Sequence, residues 1–329
     1  MRYALKKLAI GLAAGAVLAG TASAEPVVIG QFGNPTPMQL LTLADALKAE
    51  TGWDVEWRKF DSGTDVVAAM ASGDVELAEL GSAPLAIAAS RGVDLQMIAY
   101  SDVIGKAESL IARDGSGISS IADLRGKRIA VPLGSTAHYS LLAALQHEGL
   151  TGTDVTIIGM KPDQIAAGWD QGAMDAAWVW QPVQSEILKS GTLITGGDQV
   201  AAWGYPTFDA WVVNRAFAQT HKAEIVAFLK AVDQVNASYL ADPAAWTADS
   251  DEVLALANAS GADPEKIPAI IEGFTFLPLY EQVSDTWLGG AARTIKDTAS
   301  FLKAAGAIDR VDEDYSKFVN PEFAMEAAE

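Results

Sequence analysis

The chain has 329 residues, half of them hydrophobic and a fifth charged, the composition of a folded protein of one or two domains rather than a disordered chain. With 42 Asp and Glu against 23 Lys and Arg, its formal net charge of −19 is opposite in sign to what a nucleic-acid binder needs. Cysteine is absent, which excludes disulfides, thiolate nucleophiles, Cys-based zinc sites and a lipid anchor on a cleavage-site Cys.

Arg2, Lys6 and Lys7 make a basic start, Leu8 to Leu18 is an apolar run, and Ala22-Ser23-Ala24 fits a small-x-small cleavage pattern. This layout predicts a secretory signal peptide over residues 1–24, with Glu25 as the first mature residue. The run is short and weakly hydrophobic for crossing ~30 Å of hydrocarbon, and no later segment is long and apolar enough to span. Cleavage would take the formal charge from −19 to about −22. A soluble periplasmic protein is expected.

From Pro26 the pattern alternates. Strands are predicted at Pro26–Gly30, Val55–Trp57, Asp74–Leu80 and Leu95–Tyr100. Helices are predicted through Leu40, Leu41, Ala44 and Leu47, over Asp65–Ala71, and from Pro84 to Ala89. A second unit starts with Leu110-Ile111-Ala112 as a strand leaving the first. Strands at Arg128–Val131, Val155–Gly159 and Ala176–Trp180 follow, with helices Tyr139–His147 and Gln164–Gly172 between them. Asp209–Val213 reads as the strand that returns. The remainder is helical: Ala223–Leu240, Glu252–Ser260 and Trp287–Ala305. Such alternation predicts an α/β fold with mostly parallel sheets. The division is 25–112 plus 209–329 for lobe 1 and 113–208 for lobe 2, joined by crossings near 110–114 and 207–213. A ligand cleft lies between the lobes, at the carboxyl ends of the strands.

Two turns on that rim suit an anion. Gly81-Ser82-Ala83-Pro84 and Pro132-Leu133-Gly134-Ser135-Thr136-Ala137-His138 each link a strand to a helix start. There, free N–H groups and the helix dipole favour negative charge. An ordinary N-cap explains either turn alone; one in each lobe could grip an anion from both sides. His138 is either a further donor or a structural histidine. Gln31 ends the first strand on the same rim, as a ligand contact or a plain turn residue. Glu108 and Asp209 sit beside the crossings and are either holders of a ligand ammonium or surface charges. Of the nine tryptophans, Trp180 and Trp203 could wall the pocket and offer a π-face, whereas Trp178 and Trp211 read as core. Trp178 and Trp180 must share one face of their strand.

Enzyme readings find little footing. Only His138, His147 and His221 exist, and no H-E-x-x-H, G-x-S-x-G or Walker loop occurs. No catalytic residue, cofactor or metal is expected, and energy for any transport must come from partners.

Several runs carry a family resemblance: Trp57-Arg58-Lys59-Phe60-Asp61-Ser62-Gly63, Ala71-Ser72-Gly73-Asp74-Val75, Gly81-Ser82-Ala83-Pro84-Leu85-Ala86, Gly126 to Pro132, Ser135 to Leu145, and Pro206 to Val213. Over nearly the whole mature length the chain resembles the periplasmic taurine-binding proteins of ABC importers. The resemblance implies a type II periplasmic-binding fold and delivery of taurine, or a related small sulfonate, to an inner-membrane ABC permease with its ATPase. Ser82, Ser135, Thr136 and His138 would then serve the sulfonate, and Glu108 and Asp209 the ammonium. Ala83 and Gln181 depart from the pattern, and Gln181 bears on which amines are accepted. A monomer is expected. A carrier for amine-free alkanesulfonates is the alternative, followed by an enzyme on the same fold and a structural envelope protein.

Overall fold

The computed structural model describes residues 26–43 and 46–329. The expected signal peptide and Ala44 of the first predicted helix lie outside them. The strands are β1 (Val27–Gln31), β2 (Val55–Lys59), β3 (Leu77–Gly81), β4 (Leu95–Ile104), β5 (Glu108–Arg113), β6 (Arg128–Val131), β7 (Thr156–Gly159), β8 (Ala176–Trp180), β9 (Gly191–Gly196), β10 (Thr207–Asn214) and β11 (Phe274–Thr275). They form two sheets, one in the order β11-β4-β10-β3-β1-β2 and one in the order β7-β6-β8-β5-β9.

Both sheets are mixed rather than mostly parallel. β1 runs parallel to β2 and β3, and β6 parallel to β7 and β8. The strands that carry the chain between units run the other way: β10 is antiparallel to β3 and β4, and β5 to β8 and β9. β5 also corrects the first crossing. Its run Glu108–Ala112 is buried throughout and hydrogen-bonded on both edges within the second sheet. The chain therefore crosses at 105–107, before this strand. The return crossing lies in 197–206, ahead of β10. The two crossings touch backbone to backbone: a Cβ on Gly197 would lie 2.7 Å from the Gly105 carbonyl oxygen.

The predicted helices are present with shifted ends, such as Lys222–Ala241 and Leu288–Ala304. The expected helix after Pro37 is a 3-10 turn, Pro37–Thr42, followed by helix Ala46–Thr51.

Each unit has its own core. In the first, Leu77, Leu80, Leu85, Met97, Trp211 and Phe228 are wholly buried. In the second, Trp178 and Leu141 lie in the packing on one face of the sheet, and Trp169 and Ile165 in that on the other. Helix Ser82–Arg91 is the central piece. Its small apolar residues leave only Arg91 exposed, and Gly92 stops it in a left-handed conformation with φ 77°. A third apolar group joins the units: Ala83 and Ile87 from this helix meet Tyr139, Leu142 and Leu302. Lys161 and Asp65 add an exposed ion pair between the units, 2.9 Å long.

Candidate functional site

Two helix starts face each other across the gap between the sheets. β3 ends at Gly81, where helix Ser82–Arg91 begins, and β6 leads through the 132–135 turn into helix Thr136–His147. Their approach is close: a Cβ on Gly81 would lie 3.0 Å from Thr136 Cγ2 and 3.3 Å from Asp209 Oδ1. Glycine is the residue that leaves this space open. The N–H groups in the first turn of each helix have no partner inside the helix and suit acceptor oxygens.

The cavity bounded by these turns is lined by Gly81, Pro84, Ser135 and Thr136, by the carboxylates Glu108 and Asp209, and by Trp180, Phe32, Phe274 and Asn34. Its space is about 420 Å3, counting the part open to solvent. Among the described residues, no Lys, Arg or His lines it. Trp180, Phe32 and Asn34 also border a wider mouth, where Lys59, Asp61, Asp163 and Gln181 stand.

Glu108 and Asp209 thus reach one cavity from different sheets. Thr136 Oγ1 donates to Glu108 Oε1, while Glu108 Oε2 is buried without a partner. Burial pushes the Glu108 carboxyl up to about 7. Asp209 is pushed well above the usual carboxylate range by burial and by the charges of Glu79 and Glu108.

Two carboxylates unforeseen from the sequence complete the cluster. Glu79 on β3 accepts from the Phe32 N–H and from Ser101 Oγ, and burial raises its pKa. Asp102 on β4 pairs with Asp209 in register and has a buried, unpartnered Oδ1. Burial, then the charges of Asp209, Glu79 and Glu108, raise Asp102 well above the usual range. The strand runs on past Tyr100, where it was expected to end, and so takes in Ser101 and Asp102.

The other sequence candidates divide. Ser135 lines the cavity, but its hydroxyl is committed, donating to Pro132 O and accepting from the His138 N–H. Ser82 is buried, and its Oγ accepts from the Phe208 N–H at 3.4 Å. Gln31 is also buried beside the site, its Oε1 accepting from Gln39 Nε2. His138 does not line the cavity. Its Nδ1 accepts from the Gly134 N–H at 3.3 Å, and its ring borders a separate groove with Leu142 and Phe301. Burial lowers its pKa to about 4, which keeps the ring neutral and able to accept. Trp180 walls the cavity, but Trp203 stacks on His147, with ring centroids 3.9 Å apart. Trp178 and Trp211 are core, as expected.

The arrangement brings helix-start backbone donors, two buried carboxyl groups and aromatic faces into one cavity. It suits a small molecule with a multi-oxygen anion at one end and a cation at the other.

The profile of the family described as NMT1/THI5 like matches residues 49–246. The taurine-binding periplasmic protein of Escherichia coli (strain K12) is 39% identical over 314 residues, covering 95% of this chain and 97% of that protein. A putative aliphatic sulfonates-binding protein of Bacillus subtilis (strain 168) is 29% identical over 269 residues, 81% of this chain and 76% of that protein. In three dimensions the chain is similar to the alkanesulfonate-binding protein SsuA from Xanthomonas axonopodis pv. citri bound to MOPS. The TM-score is 0.76 at 22% identity, over 90% of this chain and 98% of that one. At that identity the likeness speaks for the fold, two α/β lobes of the periplasmic-binding kind.

Proposed function

The chain belongs to the NMT1/THI5-like family, and on that premise we propose that it is a periplasmic solute-binding protein that captures taurine for an ABC importer. The observation that carries the ligand is the composition of the lining: helix-start donors at Gly81 and Thr136 together with Glu108 and Asp209, and no basic side chain. Taurine is a sulfonate two carbons from an ammonium, so each end has a counterpart. The sulfonate would take backbone N–H groups of both helix starts, that of Thr136 among them. Glu108 Oε2, buried and unpartnered, and Asp209 would take the ammonium. Trp180 would lie against the carbon chain or the cation.

An amine-free alkanesulfonate satisfies the anion turns but leaves the buried carboxylates unpaired, a costly arrangement. The relatives named above are binding proteins, and this chain is read as one rather than as an enzyme.

We take the lobes as 26–104 with 207–329, and 108–196, following the strand pairing. Closure about the Gly105–Gly197 contact would bury the ligand and present the closed shape to an inner-membrane permease and its ATPase. Among the described residues, no helix is long and apolar enough to cross a membrane. The test of the ligand is titration calorimetry with taurine. Binding in the micromolar range, about −8 kcal/mol, is expected; no heat and no thermal shift would remove taurine as the ligand.

A further inference from the structure

Asp102 is the carboxylate of the cluster that this ligand reading leaves without a task, and the inference drawn from it rests on that reading. Asp102 on β4 lies opposite Asp209 on β10, so both side chains leave the sheet on one face. The register shifts between Asp209 and Ala210, whose partners are Asp102 and Tyr100, leaving Ser101 as an inserted residue. Such bulges re-aim side chains beside sites. Asp102 is 3% exposed, and its Oδ1 has no hydrogen-bond partner. The charges that bear on it are acidic: Asp209 on β10, Glu79 on β3 and Glu108 on β5. Glu79 already accepts two hydrogen bonds, from the Phe32 N–H and Ser101 Oγ. Two carboxylates at paired positions, away from water and without a cation, cannot both ionise.

We infer that Asp102 is a positioning residue for the ammonium subsite: in the empty protein it is a neutral acid whose O–H donates to Asp209. The arriving ammonium supplies the positive charge that lets Asp102 ionise. Its proton goes to solvent, and the ammonium keeps all three of its own. Asp102 thereby holds the Asp209 carboxylate in place before the ligand comes and ties ligand capture to proton release.

The test is calorimetry of the whole protein with taurine at pH 8, in buffers of differing ionisation enthalpy. Glu108, raised to about 7, is then mostly ionised already. Wild type should show net proton release on binding taurine, read as heats that differ between the buffers. Asp102→Asn, which keeps a donor towards Asp209, should bind within about threefold of wild type and release no proton. Asp102→Ala, which lacks the donor, should bind about tenfold more weakly. Identical heats in all buffers for wild type would overturn the inference while leaving taurine capture intact. So would proton release that persists in Asp102→Asn, since the proton would then sit elsewhere. Infrared spectroscopy of the empty protein gives a reading that needs no ligand. A carboxylic-acid C=O absorption at pH 8, lost in Asp102→Asn, supports the neutral acid whatever taurine does, so failure of the ligand reading stays distinguishable from failure of this inference. Absence of that absorption from wild type overturns the inference.

Discussion

The Thr136 hydroxyl donates its hydrogen bond to Glu108 Oε1 and leaves Glu108 Oε2 buried with no partner. One contact thus ties the helix start that would meet the sulfonate to a carboxylate that would meet the ammonium. A ligand that fills one end of the cavity bears on the geometry of the other.

Neutralising the carboxylates should therefore discriminate between ligands. Each charged hydrogen bond is worth about 1.5–3 kcal/mol. Glu108→Gln and Asp209→Asn should each weaken taurine by roughly tenfold to a hundredfold on that scale. Ethanesulfonate, which has no amine, should stay within about threefold. Equal losses for both ligands in competition titrations would remove these side chains from the ammonium.

Gly81→Ala tests the gap between the helix starts. Gly81 has φ −62°, which alanine adopts freely. The added methyl would lie 3.0 Å from Thr136 Cγ2 and 3.3 Å from Asp209 Oδ1. Overpacking of this kind costs about 1–3 kcal/mol. The variant should fold, melt a few degrees lower at most, and bind taurine at least tenfold more weakly. Unchanged affinity would mean that the ligand sits elsewhere in the cleft.

Ser82, which the sequence suggested for the sulfonate, is not among the residues that line the cavity. Its Oγ accepts from the Phe208 N–H over a long 3.4 Å, so Ser82→Ala should cost no more than about 1 kcal/mol of stability. Taurine affinity should change by less than about threefold. A tenfold loss with unchanged melting would return the hydroxyl to the sulfonate.

The pH dependence of stability has a definite sign. Glu79, Asp102, Glu108 and Asp209 are all raised by burial. The folded protein therefore holds more protons than the unfolded chain above the ordinary carboxylate range, and stability falls as pH rises. Glu108 alone, raised from 4.5 to about 7, contributes up to about 3 kcal/mol that fades between those values. The lowered carboxylates, such as Asp123 at about 2, act in the opposite sense but in a more acidic range. The empty protein should melt lower at pH 8 than at pH 5.5, and taurine's stabilisation should grow over the same interval. A melting temperature that rises with pH would contradict this account of the cluster.

Much of this was legible in the residues. The β–α alternation and the two helix starts follow from periodicity and from strand-to-helix turns, whereas Glu108 and Asp209 stood out only by their place beside the expected crossings. What escaped it depended on contacts between distant segments. Asp102 and Glu79 lie inside strands, and only the β3–β10–β4 ladder brings them beside Asp209. β9 carries β-branched residues between two glycines, but its place as the edge partner of β5 is a contact between distant segments that nothing local marks. His138 sits in a conspicuous run beside Ser135 and Thr136, yet the helix turns its ring to the groove with Phe301. Position along a helix start does not fix which way a side chain faces until the neighbouring lobe is placed.

The most direct test of the central claim is calorimetric titration of the chain without its first 24 residues against taurine, ethanesulfonate and β-alanine side by side. A cavity that reads both ends predicts tight taurine, with ethanesulfonate and β-alanine each weaker by at least ~30-fold, the loss of one charged contact set. Ethanesulfonate binding as tightly as taurine would show that the ammonium is not read and would contradict the account.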